Sequence, residues 1–165
     1  MQASESVRVG FTGHQRLTAR TTRLVEDTLR SILMNIGKVW GITSLAEGSD
    51  QIFARCVIEL GGTLTAVIPS ADYETTFDSQ TSLAAYRELL RTADAVDKLP
   101  FSSPSEEAFW QAGRRVVEDC EQLIAVWDGK PAVGLGGTAD VVNFARSLGR
   151  PIVIVWPEGA ERETT

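Results

Sequence analysis

The sequence predicts an α/β fold: a single three-layer domain whose mostly parallel sheet is covered by helices on both faces. Three observations predict it. Short apolar or β-branched runs alternate with helix-period segments along the whole chain, and that alternation implies right-handed crossovers and a parallel sheet. Two of the runs, VRVGF and QLIAVW, lead into glycine-bearing loops that open helices. A length of 165 residues suits one domain with a substantial core.

Taken in order, residues 7–11 alternate apolar and polar and read as the first strand. Residues 18–36 read as a helix, with Leu24, Val25, Leu29, Ile32, Leu33 and Ile36 on one face and Gly37 as its stop. Residues 40–45 read as a strand. Residues 49–60 read as a helix with Ile52, Phe53, Cys56, Val57 and Leu60 inward, stopped by Gly61-Gly62. Residues 63–68 read as a strand closed by Pro69, and 70–81 as a polar loop holding Tyr73 and Phe77. A short helix over 82–92 and a strand over 95–99 follow, then a helix over 104–120 and a strand over 123–127. A helix over 139–147 and a last strand over 152–156 complete a Rossmann-like domain spanning 7–157. Residues 1–6 and 158–165 read as unstructured ends.

The net charge of −6 argues against broad electrostatic binding of nucleic acid. The basic residues Arg16, Arg20, Arg23, Arg30 and Lys38 read as a solvated helix face. No apolar stretch approaches the roughly 20 residues that cross a bilayer, and the opening MQASESVR lacks the apolar segment of a signal peptide. The expectation is a cytoplasmic protein with no membrane partner. Cys56 and Cys120 each sit in a helix pattern, far apart, with no CxxC or Cys/His cluster. They read as reduced core thiols, so neither a metal site nor a resident cofactor is expected.

Residues 120–156 bear most on function, in the order strand, glycine loop, helix, strand. A glycine-rich turn at a helix start places bare N–H groups and the positive helix end at one point, which suits phosphate or another anion. Gly136, Gly137 and Thr138 are the candidates. Asp140, in the first helical turn, either complements the dipole or accepts from a ribose hydroxyl. At the first strand the corresponding loop is Thr12-Gly13-His14-Gln15-Arg16. His14, the only histidine, contacts phosphate or base or serves as an acid/base, and Arg16 pairs with phosphate. Glu47 is a candidate for ribose binding or proton transfer, and Asp50 reads as a helix-start acid. Trp127 ends a strand where stacking on a base is expected. Tyr73 and Phe77 either cover the pocket or pack on it.

Three segments, in this order, resemble the SLOG superfamily of Rossmann-like nucleotide-binding domains. They are VGFTGHQRL, then TSLAEGSDQIFARCVIELGGTLTAVIP, then CEQLIAVWDGKPAVGLGGTADVVNFARSLGRPIVIVW. The second is similar to a stretch of DprA/Smf proteins. The third is similar to LOG phosphoribohydrolases and nucleoside deoxyribosyltransferases. The resemblance implies a ligand pocket at the strand carboxyl ends and a homodimer. It also implies a nucleotide site built from Gly10, Thr12, Gly13, Glu47, Gly48, Ser49, Gly136, Gly137 and Thr138.

Family members cleave N-glycosidic bonds of nucleotides, bind DNA, or sense NAD-derived signals. The hydrolase motif places a glutamate three residues after the threonine of its GT pair, where this chain has Val141. Arg114 and Arg115 lie in the helix that carries an arginine in LOG enzymes, in a different register. The expected function is therefore binding of a nucleotide-type small molecule, a nucleotide or an ADP-ribose-like ligand. The alternative is N-glycosidic chemistry with Glu47 or Asp140 as catalytic carboxylate.

Overall fold

A computed structural model describes residues 5–131 and 134–163. Six strands, β1 (Val7–Gly13), β2 (Val39–Thr43), β3 (Thr63–Ser70), β4 (Ala95–Phe101), β5 (Gln122–Val126) and β6 (Ile152–Val155), form one sheet. Five helices connect them: α1 (Ala19–Ile36), α2 (Ser49–Glu59), α3 (Gln80–Thr92), α4 (Glu106–Asp119) and α5 (Thr138–Ser147). The strand order is β4-β3-β2-β1-β5-β6 and every pairing is parallel. The expected fold is the observed one.

Side-chain alternation along the strands builds the layers. Val9 and Phe11 of β1 and Ile124 and Val126 of β5 share a cluster with Val25, Leu29 and Leu33 of α1 and Phe53 and Val57 of α2. A second cluster extends this face over α3, joining Leu64, Ala66 and Ile68 to Tyr86 and Leu89. The opposite face buries Val67, Leu123 and Ala125 beneath Val116 and Val117 of α4 and Val141 and Val142 of α5. Helices α1–α3 thus cover one face and α4 and α5 the other.

Sequence chemistry explains the helix ends. The Thr18 side chain accepts the Thr21 N–H and starts α1, and Gly37, at φ 95°, ends it with its N–H on the Leu33 carbonyl. Val25, Leu29 and Leu33 recur every fourth residue and are buried. Each contributes roughly 1.5–3 kcal/mol of transfer free energy.

Three expectations change. Pro69 does not close β3; the strand runs on to Ser70, and the pairing with β4 shifts register between Ile68 and Ser70, where proline has no N–H to donate. The stretch read as a loop over 70–81 contains a 3-10 turn, Tyr73–Thr76, and the first residues of α3. Ser79 is the N-cap there, accepting from Ser82 N–H. Residues 158–163, read as part of an unstructured tail, run back along the start of α1. Thr18 N–H donates to the Glu161 carbonyl, Glu161 N–H to Thr21 Oγ1, and Glu163 N–H to the Arg16 carbonyl. Main-chain groups ahead of the helix need partners, and this segment supplies them. Residues 1–4, 164 and 165, read as parts of the unstructured ends, lie outside the described residues.

Cys56 and Cys120 are both buried and unpaired with one another. No described helix is long and apolar enough to cross a membrane.

Candidate functional site

The chain leaves β1 toward β2 on one side and returns through α4 to β5 on the other, so the strand order reverses between β1 and β5. Ligands in open α/β sheets sit beyond the carboxyl ends of the strands at such a point. A cleft of about 510 Å³ opens there. The register pairs Gly13 with Val126, so His14 and Trp127-Asp128 leave the sheet together.

His14 is buried at 8% exposure and lines the cleft. Its N–H donates to the Val126 carbonyl, and its carbonyl accepts from the Ser49 N–H and, at 2.7 Å, from Ser49 Oγ. The ring Nε2 lies 3.1 Å from the Asp128 main-chain N and 3.2 Å from Asp128 Oδ1. A neutral imidazole accepts the Asp128 N–H through Nε2; a protonated one donates to the carboxylate. The edge of Trp156 meets the ring at 5.7 Å. Burial and the Arg162 cation hold His14 below its ordinary pKa against the pull of Asp128. For Asp128, burial pushes upward, but the Lys130 N–H, His14 and Arg162 together outweigh it and hold the carboxyl low.

The glycine loop forms the facing wall. Gly136, Gly137 and Thr138 line the cleft, and α5 starts at Gly137 with no side-chain cap hydrogen bond. The first-turn amides and the positive end of α5 therefore face the cleft. Asp140 does not line it: Oδ2 accepts the Gly136 N–H at 2.9 Å, so this carboxylate fastens the loop. The residue expected to act as a catalytic or ribose-binding group thus has its carboxylate on the loop main chain. Val141 is 2% exposed, and its Cγ2 occupies the space beside Gly113.

The β2–α2 loop contributes Glu47 to the lining, and the first turn of α2 contributes Asp50. Asp50 is buried, accepts the Ala46 N–H at 3.1 Å, and is pushed by burial up to about 7. Tyr73, Phe77 and Phe109 form an aromatic side wall; Tyr73 and Phe77 meet at 5.4 Å and Tyr73 and Phe109 at 6.5 Å. Tyr73 and Phe77 thus both pack into the core and line the cleft.

The structure gathers Thr12, Gly13, His14, Arg16, Glu47, Trp127, Gly136, Gly137 and Thr138 around one cleft. Arg16 stands at the rim, half exposed and paired with Asp78 at 3.1 Å. Trp127 donates Nε1–H to the Lys130 carbonyl, and the Arg146 guanidinium lies over its ring at 5.8 Å.

Gly10, Gly48 and Ser49 are not cleft residues. A Cβ at Gly10 would meet Cys120 and Val116 of α4 at 3.0 Å, so it serves close packing. Gly48, at φ 89°, brings its Cα against the Gln15 carbonyl, where a Cβ would sit 2.1 Å away. Ser49 spends its hydroxyl on His14. Arg114 pairs with Glu118 and lies over Phe144, and Arg115 pairs with Asp97 at 2.6 Å, so neither lines the cleft.

Sequence reasoning missed Asp50, Glu106, Phe109 and Arg162 as cleft residues, and Asp128 as the partner of His14. Asp128 carried a signal, since it follows its strand much as His14 follows its own. Arg162 carried none.

No protein-family profile matches the chain, and no curated protein matches it. Solved structures do. DNA processing protein A (DprA) from Streptococcus pneumoniae superposes with a TM-score of 0.67 at 17% identity, over 93% of this chain and 52% of that one. The chain therefore spans about half the length of that protein. DNA processing protein A from Helicobacter pylori, described by its single-stranded DNA binding mode, gives 0.66 at 16% identity over 95% of this chain and 68% of that one. The molybdenum cofactor binding protein from Rippkaea orientalis gives 0.58 at 14% identity over 92% and 77%. At these identities the likeness is one of fold: the chain shares the Rossmann-like α/β architecture of these proteins.

Proposed function

We propose that the protein binds a nucleotide-type small molecule, a nucleotide or an NAD-derived ligand such as ADP-ribose, in the β1/β5 cleft. The observation that carries this is the start of α5: a helix end without a side-chain cap, opening through Gly137 onto the cleft. Phosphate belongs there. The aromatic wall of Phe77 and Phe109 supplies an apolar face for a planar base, and Glu47 supplies an acceptor for ribose hydroxyls.

Binding is favoured over N-glycosidic hydrolysis. Val141 fills the position of the hydrolase glutamate, Asp140 is engaged with Gly136, and neither arginine of α4 lines the cleft. The carboxylates that do line it, Glu47, Asp50 and Glu106, come from other positions. The acidic balance speaks against a nucleic-acid partner. We carry a homodimer as part of the proposal; Val153 and Ile154, both exposed on edge strand β6, support it, and sedimentation velocity checks it.

The test is a thermal-shift screen against AMP, NAD, ADP-ribose and cyclic ADP-ribose isomers. A ligand at 100 times its Kd adds about 2.7 kcal/mol of stability. Stabilisation by phosphorylated ligands and not by adenosine is expected. Stabilisation by none of them contradicts the reading.

A further inference from the structure

The segment after β6 adds a charge to the cleft that neither glycine loop supplies. Leu17 and Arg162 form an antiparallel bridge, and Glu163 N–H donates to the Arg16 carbonyl at 3.0 Å. That docking places Arg162 in the cleft wall with its side chain half exposed. Its Nη1 lies 3.7 Å from Asp128 Oδ2, and the other oxygen of the same carboxylate lies 3.2 Å from His14 Nε2. Asp128 itself is buried, its side chain 8% exposed. One buried carboxylate thus bridges a cleft-facing guanidinium and the only histidine of the chain.

We propose that Arg162 is an oxyanion-binding residue of the cleft, and that Asp128 ties it to His14 so that an oxyanion seated on Arg162 binds together with a proton on His14. The inference rests on the cleft being the ligand site and specifies one anion-binding position within it.

Geometry gives the link its direction. A guanidinium carries five N–H donors, and a single contact at 3.7 Å leaves the others for a ligand. His14 Nε2 can serve either protonation state without moving, because the Asp128 N–H and carboxylate are equally near. The Arg162 cation opposes a proton on His14 and the Asp128 carboxylate favours it. An oxyanion against Arg162 offsets the opposing charge, so a proton is taken up. By reciprocity, oxyanion affinity rises as pH falls through the His14 titration. The remaining charges lining the cleft are Arg16 on the loop of His14 itself, Glu47 on the β2–α2 loop, Asp50 in the first turn of α2, Glu106 on α4 and Lys130 after β5. All of them are common to the wild type and an Arg162 variant, so a comparison of the two isolates Arg162.

The single histidine makes the experiment direct. The His14 C2–H resonance is followed by NMR from pH 5 to 9 in wild type, Arg162→Gln and Arg162→Lys. Each is measured in chloride and in sulfate at matched ionic strength, and then with AMP and with adenosine. Sulfate stands in for a phosphate group without titrating in this range, and AMP presents that group on a nucleoside.

In wild type, sulfate and AMP are expected to raise the His14 midpoint by about half a pH unit or more, the mark of a roughly threefold linkage; adenosine leaves it unchanged. Arg162→Gln is expected to start from a raised midpoint in chloride and to lose the response to sulfate. Arg162→Lys keeps the wild-type midpoint in chloride. Equal midpoints for wild type and Arg162→Gln in chloride overturn the inference. So does a wild-type midpoint that sulfate does not move. Failure of this kind, alongside AMP binding that Gly137→Asp abolishes, removes Arg162 and leaves the cleft assignment standing. Loss of AMP binding altogether, with the sulfate response intact, leaves the anion position and removes the nucleotide.

Discussion

Asp50 is the residue whose chemistry the fold alters most. It sits in the first turn of α2, where a carboxylate complements the helix dipole and accepts the Ala46 N–H. Burial nevertheless pushes it from 3.8 up to about 7. Its folded-state value lies above its unfolded one, so the native state binds the extra proton between the two. The associated stability is complete below about pH 4 and is lost as pH rises toward 7, on the order of 4 kcal/mol in all. Asp50→Asn keeps an acceptor for Ala46 and removes the titration. Urea unfolding at pH 5 and pH 8 is expected to show the wild type losing stability between them relative to the variant, with Asp50→Asn the more stable protein at pH 8. A constant difference at both pH values contradicts this. At Gly137 the expectation concerns the ligand: Gly137→Asp abolishes nucleotide binding through bulk and like charge while the fold persists. Calorimetry on the folded variant checks it.

At the scale of elements, the two loops at the switch point are held from outside the ligand space. The β1–α1 loop is clamped by Ser49 on the His14 carbonyl and by Gly48 pressed against Gln15. The β5–α5 loop is fastened by Asp140 on Gly136. Gly48→Ala must accommodate both a left-handed φ and a Cβ 2.1 Å from the Gln15 carbonyl. Strain and overpacking together give a loss of about 2–5 kcal/mol, read as a lowered urea midpoint.

The strand and helix order was legible in the sequence because hydrophobic periods of two and 3.6 residues alternate so regularly. Gly136, Gly137 and Thr138 were legible for the same local reason: a glycine turn at a helix start is a short-range signal. Gly10, Gly48 and Ser49 were carried over by position in a motif, and Asp140 was read from its place in the first helical turn. Their contacts, with Cys120, Gln15, His14 and Gly136, show them holding the site's shape. Arg162 was not legible at all, since its place depends on a main-chain bridge to Leu17 across the fold.

At the scale of the whole molecule, a net charge of −6 surrounds a cleft whose lining sets His14, Arg16, Lys130 and Arg162 among Glu47, Asp50 and Glu106. That distribution suits a small anion captured at one point better than a long polyanion laid across the surface. Incubation with AMP and other nucleoside monophosphates is expected to release no free base, because the hydrolase glutamate is replaced by a packed valine. Base release seen by chromatography, and lost in Glu47→Ala, would turn the reading toward an enzyme. The most direct test of the cleft assignment is an amide NMR titration of the folded protein with AMP and with ADP-ribose. Chemical-shift changes are expected to concentrate at Gly13–Arg16 and at Gly136–Ala139 together, from both sides of the β1/β5 switch point, and to vanish in Gly137→Asp. Changes that spare these loops, or that persist unaltered in Gly137→Asp, would contradict the assignment.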